Sequence, residues 1–210
     1  MTLLRRGMLL SKTHRAALAS AIAIFVALAA LLLGWDFYRS RQNRLASEEY
    51  ARAVDLYHAG KYKEALEALN RLEIYRSSFY SRLGMLYSAN AQASLQDTNR
   101  AVETLQRLLS KESKEPLVRQ GAYASLGYLQ EERGQFAEAA ASFGEAEKIV
   151  GPLTSDATLG RARANRLAGN LKEASASYRK FLTDNPDSER ASEIAVRIQE
   201  LEAKAGAAAK

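Results

Sequence analysis

Cysteine is absent from the 210 residues, proline occurs three times and tryptophan once. The missing cysteine excludes disulfides, thiolate metal sites and a lipidated N-terminal cysteine. The scarcity of proline removes most helix breaks. Ala, Leu, Glu, Arg and Lys dominate instead, and these side chains lose little freedom in a helix, so an all-α fold is the expectation. Acidic residues are missing from the first 35 positions, where Arg5, Arg6, Lys12 and Arg15 stand alone. The net charge of +6 is therefore mostly local to that end, because the remaining residues carry 26 basic and 24 acidic side chains. A nucleic-acid binder concentrates positive charge on its folded surface, so no nucleic-acid partner is expected.

Charge is also missing between Ala16 and Trp35. Twenty residues at about 1.5 Å rise span about 30 Å, the thickness of a bilayer core. Leu18, Ile22, Ile24, Phe25, Val26, Leu28, Leu31, Leu32 and Leu33 each favour insertion by about 0.3–0.6 kcal/mol. Trp35, Phe37 and Tyr38 follow where an interfacial aromatic belt belongs. The rival reading is a cleaved signal peptide, with Ala27-Leu28-Ala29 as a small-x-small site. Cleavage there leaves Leu31-Leu32-Leu33 at the new terminus, which favours a retained single-pass anchor. Four basic residues precede the segment, against Arg39, Arg41 and Arg44 after it. The positive-inside bias then predicts a cytoplasmic N-terminus and, in a bacterium, an inner-membrane protein with a periplasmic domain.

The rest of the chain repeats itself. Tyr123, Leu126-Gly127, Gly134, Phe136, Ala139, Phe143 and Ala146 make the clearest copy, with Gln130 where a tyrosine is usual. Gly169, Leu171, Ala174, Tyr178, Phe181 and Pro186 make another; Gly60, Tyr62, Ala65, Leu69 and Leu72 an earlier one. Tyr80, Leu83-Gly84 and Tyr87, then Ala101, Leu105 and Leu108, suit a fourth pair of helices. Aligned on Gly84, that copy is five residues longer, and no glycine marks its turn. The alanines at 65, 101, 139 and 174 still recur at intervals of 36, 38 and 35. This pattern resembles the tetratricopeptide repeat, whose period is about 34 residues. Small residues let paired helices approach to roughly 8–10 Å, and each hairpin hides its apolar stripe only against its neighbours.

These features predict an all-α chain: one transmembrane helix, then an α-solenoid of about four tetratricopeptide-like hairpins and a C-terminal capping helix. The expected organisation is a basic tail 1–15, anchor 16–35, juxtamembrane segment 36–45, repeats 46–186, cap 187–204 and flexible tail 205–210. Catalysis is not expected. His14 and His58 are far apart, Glu131 and Glu132 point to different faces of one helix, and no glycine-rich phosphate loop follows a strand. No cofactor, metal or small-molecule substrate is expected either. First helices of stacked hairpins line the hollow side of a curve, where partner proteins bind. Counting from the apolar stripe, Tyr50, Tyr57, His58, Met85, Tyr128, Glu131, Arg163 and Arg166 are candidates for that face. Core packing is the competing role for the tyrosines and Met85, and a solvated helix face for Glu131 and the arginines.

Anchor and repeats together, with Gly34-Trp35 and the run Phe37-Tyr38-Arg39-Ser40-Arg41-Gln42, resemble the YfgM-type ancillary subunits of the bacterial Sec translocon. The resemblance covers about Ala16 to about Tyr178. It implies a non-enzymatic periplasmic repeat domain that meets the translocon, a membrane-anchored chaperone or an emerging chain. The basic tail and the added C-terminal helix depart from that pattern. Two alternatives stay open: an assembly factor for a pilus, secretion apparatus or cell-envelope complex, and a cytosol-facing receptor if the topology is reversed.

Overall fold

The structure, a computed structural model, describes residues 3–75, 78–110 and 115–208, with side chains from residue 21 to 207. The basic side chains of the N-terminal tail lie outside the described residues. Among those described, the chain is helical without strands. The helices are α1 (Leu3–His58), α2 (Tyr62–Arg71), α3 (Phe79–Ser94), α4 (Thr98–Ser110), α5 (Pro116–Glu132), α6 (Phe136–Glu147), α7 (Thr154–Leu167), α8 (Leu171–Asp184) and α9 (Ala191–Ala208). A single 3₁₀ turn, Leu72–Ile74, follows α2.

The chain divides into two compact units, residues 1–45 and 46–210. The first unit is the leading part of α1. Its apolar side chains, among them Ile22, Phe25, Leu31 and Leu33, are exposed. From Ala21 onward α1 contains a stretch long and apolar enough to cross a membrane.

The second unit is a stack of four hairpins: residues 46–58 of α1 with α2, α3 with α4, α5 with α6, and α7 with α8. All four turn in the same way. The amide N–H groups of Lys61, Asp97, Gln135 and Asn170 donate to the carbonyls of Leu56, Gln92, Gln130 and Asn165, five residues back. One residue earlier, Gly60, Gln96, Gly134 and Gly169 carry positive φ of 74°, 64°, 73° and 82°. This is the Schellman closure, in which a left-handed residue lets the chain satisfy the last carbonyls of a helix. Gln96 holds a conformation that costs a non-glycine residue about 1–2 kcal/mol.

The turns correct the sequence register of the second hairpin. Five residues after each turn stand Ala65, Ala101, Ala139 and Ala174, all fully buried. Seven before it stand Ala53, Ala89, Gly127 and Ala162. The partner of Gly127 is thus Ala89, not Gly84, and the hairpin has no five-residue insertion. Gly84 serves a different approach: a Cβ there would lie 2.6 Å from Cδ1 of Leu72 in the preceding hairpin. The Leu83-Gly84 pair misplaced the register because it imitates Leu126-Gly127 while the turn it should precede carries no glycine.

Nine residues beyond the turns, Leu69, Leu105, Phe143 and Tyr178 fill the spaces between hairpins. Burying side chains of this size contributes about 1.5–3 kcal/mol each. α9 closes the stack with Ile194, Ile198 and Leu201 against Leu159, Tyr178 and Phe181. It leaves Glu193 and Glu200 in solvent.

Candidate functional site

First helices approach first helices closely here, backbone to backbone, α3 with α5 and α5 with α7. Among the described residues no such backbone approach joins α4 to α6 or α6 to α8, the last two meeting through the Lys180–Glu147 pair at 3.6 Å. The first helices therefore lie on the inner side of the stack's curve. Two clusters occupy them.

The first is made of tyrosines. Tyr50 and Tyr57 stand seven residues apart on α1, as do Tyr80 and Tyr87 on α3, so each pair lies along one helix face, two turns apart. Ring centroids are 5.4 Å apart for Tyr50 and Tyr80, 5.7 Å for Tyr50 and Tyr87, and 5.4 Å for Tyr57 and Tyr87. Tyr62 of α2 extends the chain of rings at 5.3 Å from Tyr57, and His58 meets Tyr57 edge-on. These tilted and edge-on arrangements are the ones the ring quadrupole favours. Burial, helped by a hydrogen bond with Tyr87, pushes the Tyr50 phenol well above its ordinary range, so Tyr50 stays uncharged at physiological pH.

The second cluster joins α5 to α7. Arg163 donates through Nε and Nη2 to the two carboxylate oxygens of Glu131, at 2.5 and 2.7 Å. Its guanidinium also lies 5.6 Å from the centre of the Tyr128 ring. The Glu131 side chain is 14% exposed and that of Arg163 36%. The hydrogen bond to Glu131 raises the Arg163 pKa against the lowering effect of burial. Tyr128 in turn stands edge-on to Phe143 at 4.9 Å and is 43% exposed. A bidentate pair of this kind fixes its planar group in space, unlike a lysine ammonium on a free stem.

The candidates thus sort into groups. Tyr50, Tyr57 and His58 come together, and so do Tyr128, Glu131 and Arg163. Arg166 lies nearly one turn beyond Arg163, half-buried, and its Nε finds no hydrogen-bond partner among the described residues. Met85 joins neither group: it is 8% exposed and packs with Ala89, Leu105 and Leu126. In the turn-based register it matches Tyr123, which belongs to the core-facing row. Sequence reasoning treated Tyr80 and Tyr87 as repeat markers alone; the shared seven-residue spacing was the signal that they meet Tyr50 and Tyr57. Tyr50, Tyr80 and Tyr87 are half-buried against the core of the first hairpin. No group of metal-ligating side chains occurs among the described residues.

Residues 12–149 match the tetratricopeptide repeat-like domain family. The chain belongs to that family. Residues 125–189 also match the tetratricopeptide repeat family. Among solved structures, a tetratricopeptide repeat protein from Parabacteroides merdae superposes with a TM-score of 0.62 at 17% identity, over 76% of this chain and 60% of that one. MamA from Desulfovibrio magneticus RS-1, from its residue 41 onward, gives 0.57 at 16% identity, over 76% and 96%. A Podosopora anserina protein of nearly identical TPR-like repeats gives 0.58 at 16%, over 78% and 97%. At these identities the likeness shows the fold alone. No match was found among curated proteins. Tetratricopeptide repeat domains bind protein partners, and this one is a protein-interaction scaffold.

Proposed function

We propose that this tetratricopeptide-like protein is an inner-membrane scaffold without enzymatic activity. Its N-terminus is cytoplasmic and residues 16–35 form its anchor. Its periplasmic repeats dock the Sec translocon, a membrane-anchored chaperone or an emerging chain. The observation that supports this reading is a combination in one chain. An exposed apolar helix precedes a repeat stack whose first helices carry a tyrosine row and a fixed arginine. Tyrosines give a partner segment large rigid contact area at small entropy cost. A helical or extended peptide lying along the first helices would meet Tyr50 and Tyr57 at one end of the stack and Tyr128 with Arg163 further along.

A photo-activated cross-linker placed at Tyr57 and at Tyr128 in intact cells tests the partnership. Translocon or chaperone subunits should appear among the attached proteins from both positions. Their consistent absence from a well-expressed protein removes the translocon assignment. A reporter active only outside the cytoplasm, fused after Lys210, tests the orientation, and silence from a stable fusion reverses it.

A further inference from the structure

Three arginines stand on α7, and one of them lacks a counter-charge. Arg161 meets Glu147 at 3.0 Å and Arg163 meets Glu131, whereas Arg166 has no ion pair among the described residues. Its Nε is closed off from solvent, again without a hydrogen-bond partner among those residues. A half-buried guanidinium in this state is held at a cost that an incoming carboxylate offsets. Next to Glu131 on α5, Glu132 is exposed and Arg133 donates to Asn99 of α4, one charge of each sign. One positive charge is left in excess, which suits a single carboxylate rather than a doubly charged phosphate.

Apolar surface flanks that charge. Arg163, Arg166 and Leu167 share one face of α7 through three- and four-residue spacing. Tyr128 joins them from α5, with its ring centre 5.6 Å from the Arg163 guanidinium. Tyr128 is 43% exposed and Leu167 40%, so both offer apolar contact beside the cations. The feature is local to this part of the stack. Counted back from the turns, Val54, Asn90 and Tyr128 stand where Arg163 does, and Tyr57, Ala93 and Glu131 where Arg166 does. No other hairpin places lysine or arginine on these two rows.

We propose that this face of α5 and α7 binds a segment of a partner protein through a carboxylate with an apolar residue beside it. The carboxylate lies on Arg166, and Arg163, its plane fixed by Glu131, adds donors from its remaining N–H groups. The apolar neighbour packs on Tyr128 and Leu167. This inference rests on the docking reading above. It adds the charge of the partner segment and the place where that charge is read, at the fourth hairpin and away from the tyrosines of the first.

A photo-activated cross-linker in place of Leu167, in the full chain and in intact cells, tests it, with the attached partner segment mapped. Arg166→Glu should lower the yield from position 167 by about tenfold or more, and Arg166→Lys by less. One carboxylate of the mapped segment, changed to lysine, should abolish attachment to the unaltered chain and restore it to the Arg166→Glu protein. A misfolded variant could not be rescued in that way. If proteins attach at 57 and 128 but Arg166→Glu leaves the yield from 167 unchanged, this inference falls and the docking reading stands. The same holds if no carboxylate change in the segment rescues Arg166→Glu. If no protein attaches at 57, 128 or 167, both fall. Attachment from 167 to lipid, or to a second copy of this chain, overturns the assignment to a partner protein.

Discussion

Gly160 of α7 faces the ring of Phe143 so closely that a Cβ on the glycine would lie 2.7 Å from Cδ1. The same ring presses on Gly127 of α5 at 2.9 Å. Phe143 is fully buried, so it is a wedge around which two hairpins close, and the flat sides of the ring require glycine on both.

Gly160→Ala should therefore destabilise the fold by about 1–3 kcal/mol, because an aromatic ring in a packed core cannot step aside. Phe143→Ala should cost about 3–5 kcal/mol. In that second background the sign for Gly160→Ala reverses, to a gain of about 0.5–1 kcal/mol, since only helix propensity remains. Urea denaturation of the four proteins checks this, and equal losses in both backgrounds would refute the wedge.

At the second turn, Gln96→Gly should stabilise by about 0.5–1 kcal/mol, relieving the left-handed cost less the entropy glycine adds to the unfolded chain. The Gln96 side chain is exposed, with little to lose. A rise in thermal midpoint is the expected reading; a fall means the side chain has a role the turn geometry does not reveal.

Gln120 is fully buried and serves the loop between α6 and α7. Its Nε2 donates to the Ile149 carbonyl at 2.6 Å and to Thr154 Oγ1 at 3.2 Å, while its Oε1 accepts from the Leu153 amide at 3.4 Å. Gln120→Leu leaves these groups unmatched, at a cost of about 1–3 kcal/mol. Amide exchange should accelerate across residues 149–154 before it does elsewhere. Uniform acceleration would show that Gln120 supports the whole stack and not this loop.

Glu202 of α9 has its carboxyl held below the ordinary glutamate range by hydrogen bonds from Arg179, and then from Ser175. A depressed folded pKa means the contribution is complete above the unfolded value of about 4.3 and disappears as pH falls through the folded one. Local opening of α9, followed by limited proteolysis, should increase on acidification through that window. Glu202→Gln should make the wild-type and variant responses differ there and converge at lower pH.

Arg163→Ala should reduce cross-linking from position 128 to the partner at least about tenfold, while stability falls by about 1–3 kcal/mol because the Glu131 carboxylate, 14% exposed, loses its partner. Glu131→Gln, which keeps the arginine but frees its plane, should lie between. Unchanged cross-linking in both variants would assign the pair to helix registration alone.

The all-α class, the number of hairpins and the apolar helix were legible in the amino-acid order. All three depend on local chemistry: helix propensity, alanines at intervals of 36, 38 and 35, and glycines at three of the four turns. The register of the second hairpin was not legible. Gln96 adopts a glycine's conformation, and only the i−5 hydrogen bond from Asp97 to Gln92 locates the turn. Met85 was assigned by counting from the apolar stripe, whereas its burial depends on α4 and α5 closing over it.

Sequence by itself determined which stretches coil, where three of the reversals fall and which stripe of each helix is apolar, because those are properties of neighbours within one or two turns. Tertiary structure alone decided which side chains meet across hairpins. Arg163 finds Glu131 from 32 residues away, and Gly160 finds Phe143 in the preceding hairpin. Such contacts are set by the angle and spacing at which whole hairpins pack, and no single helix carries that information.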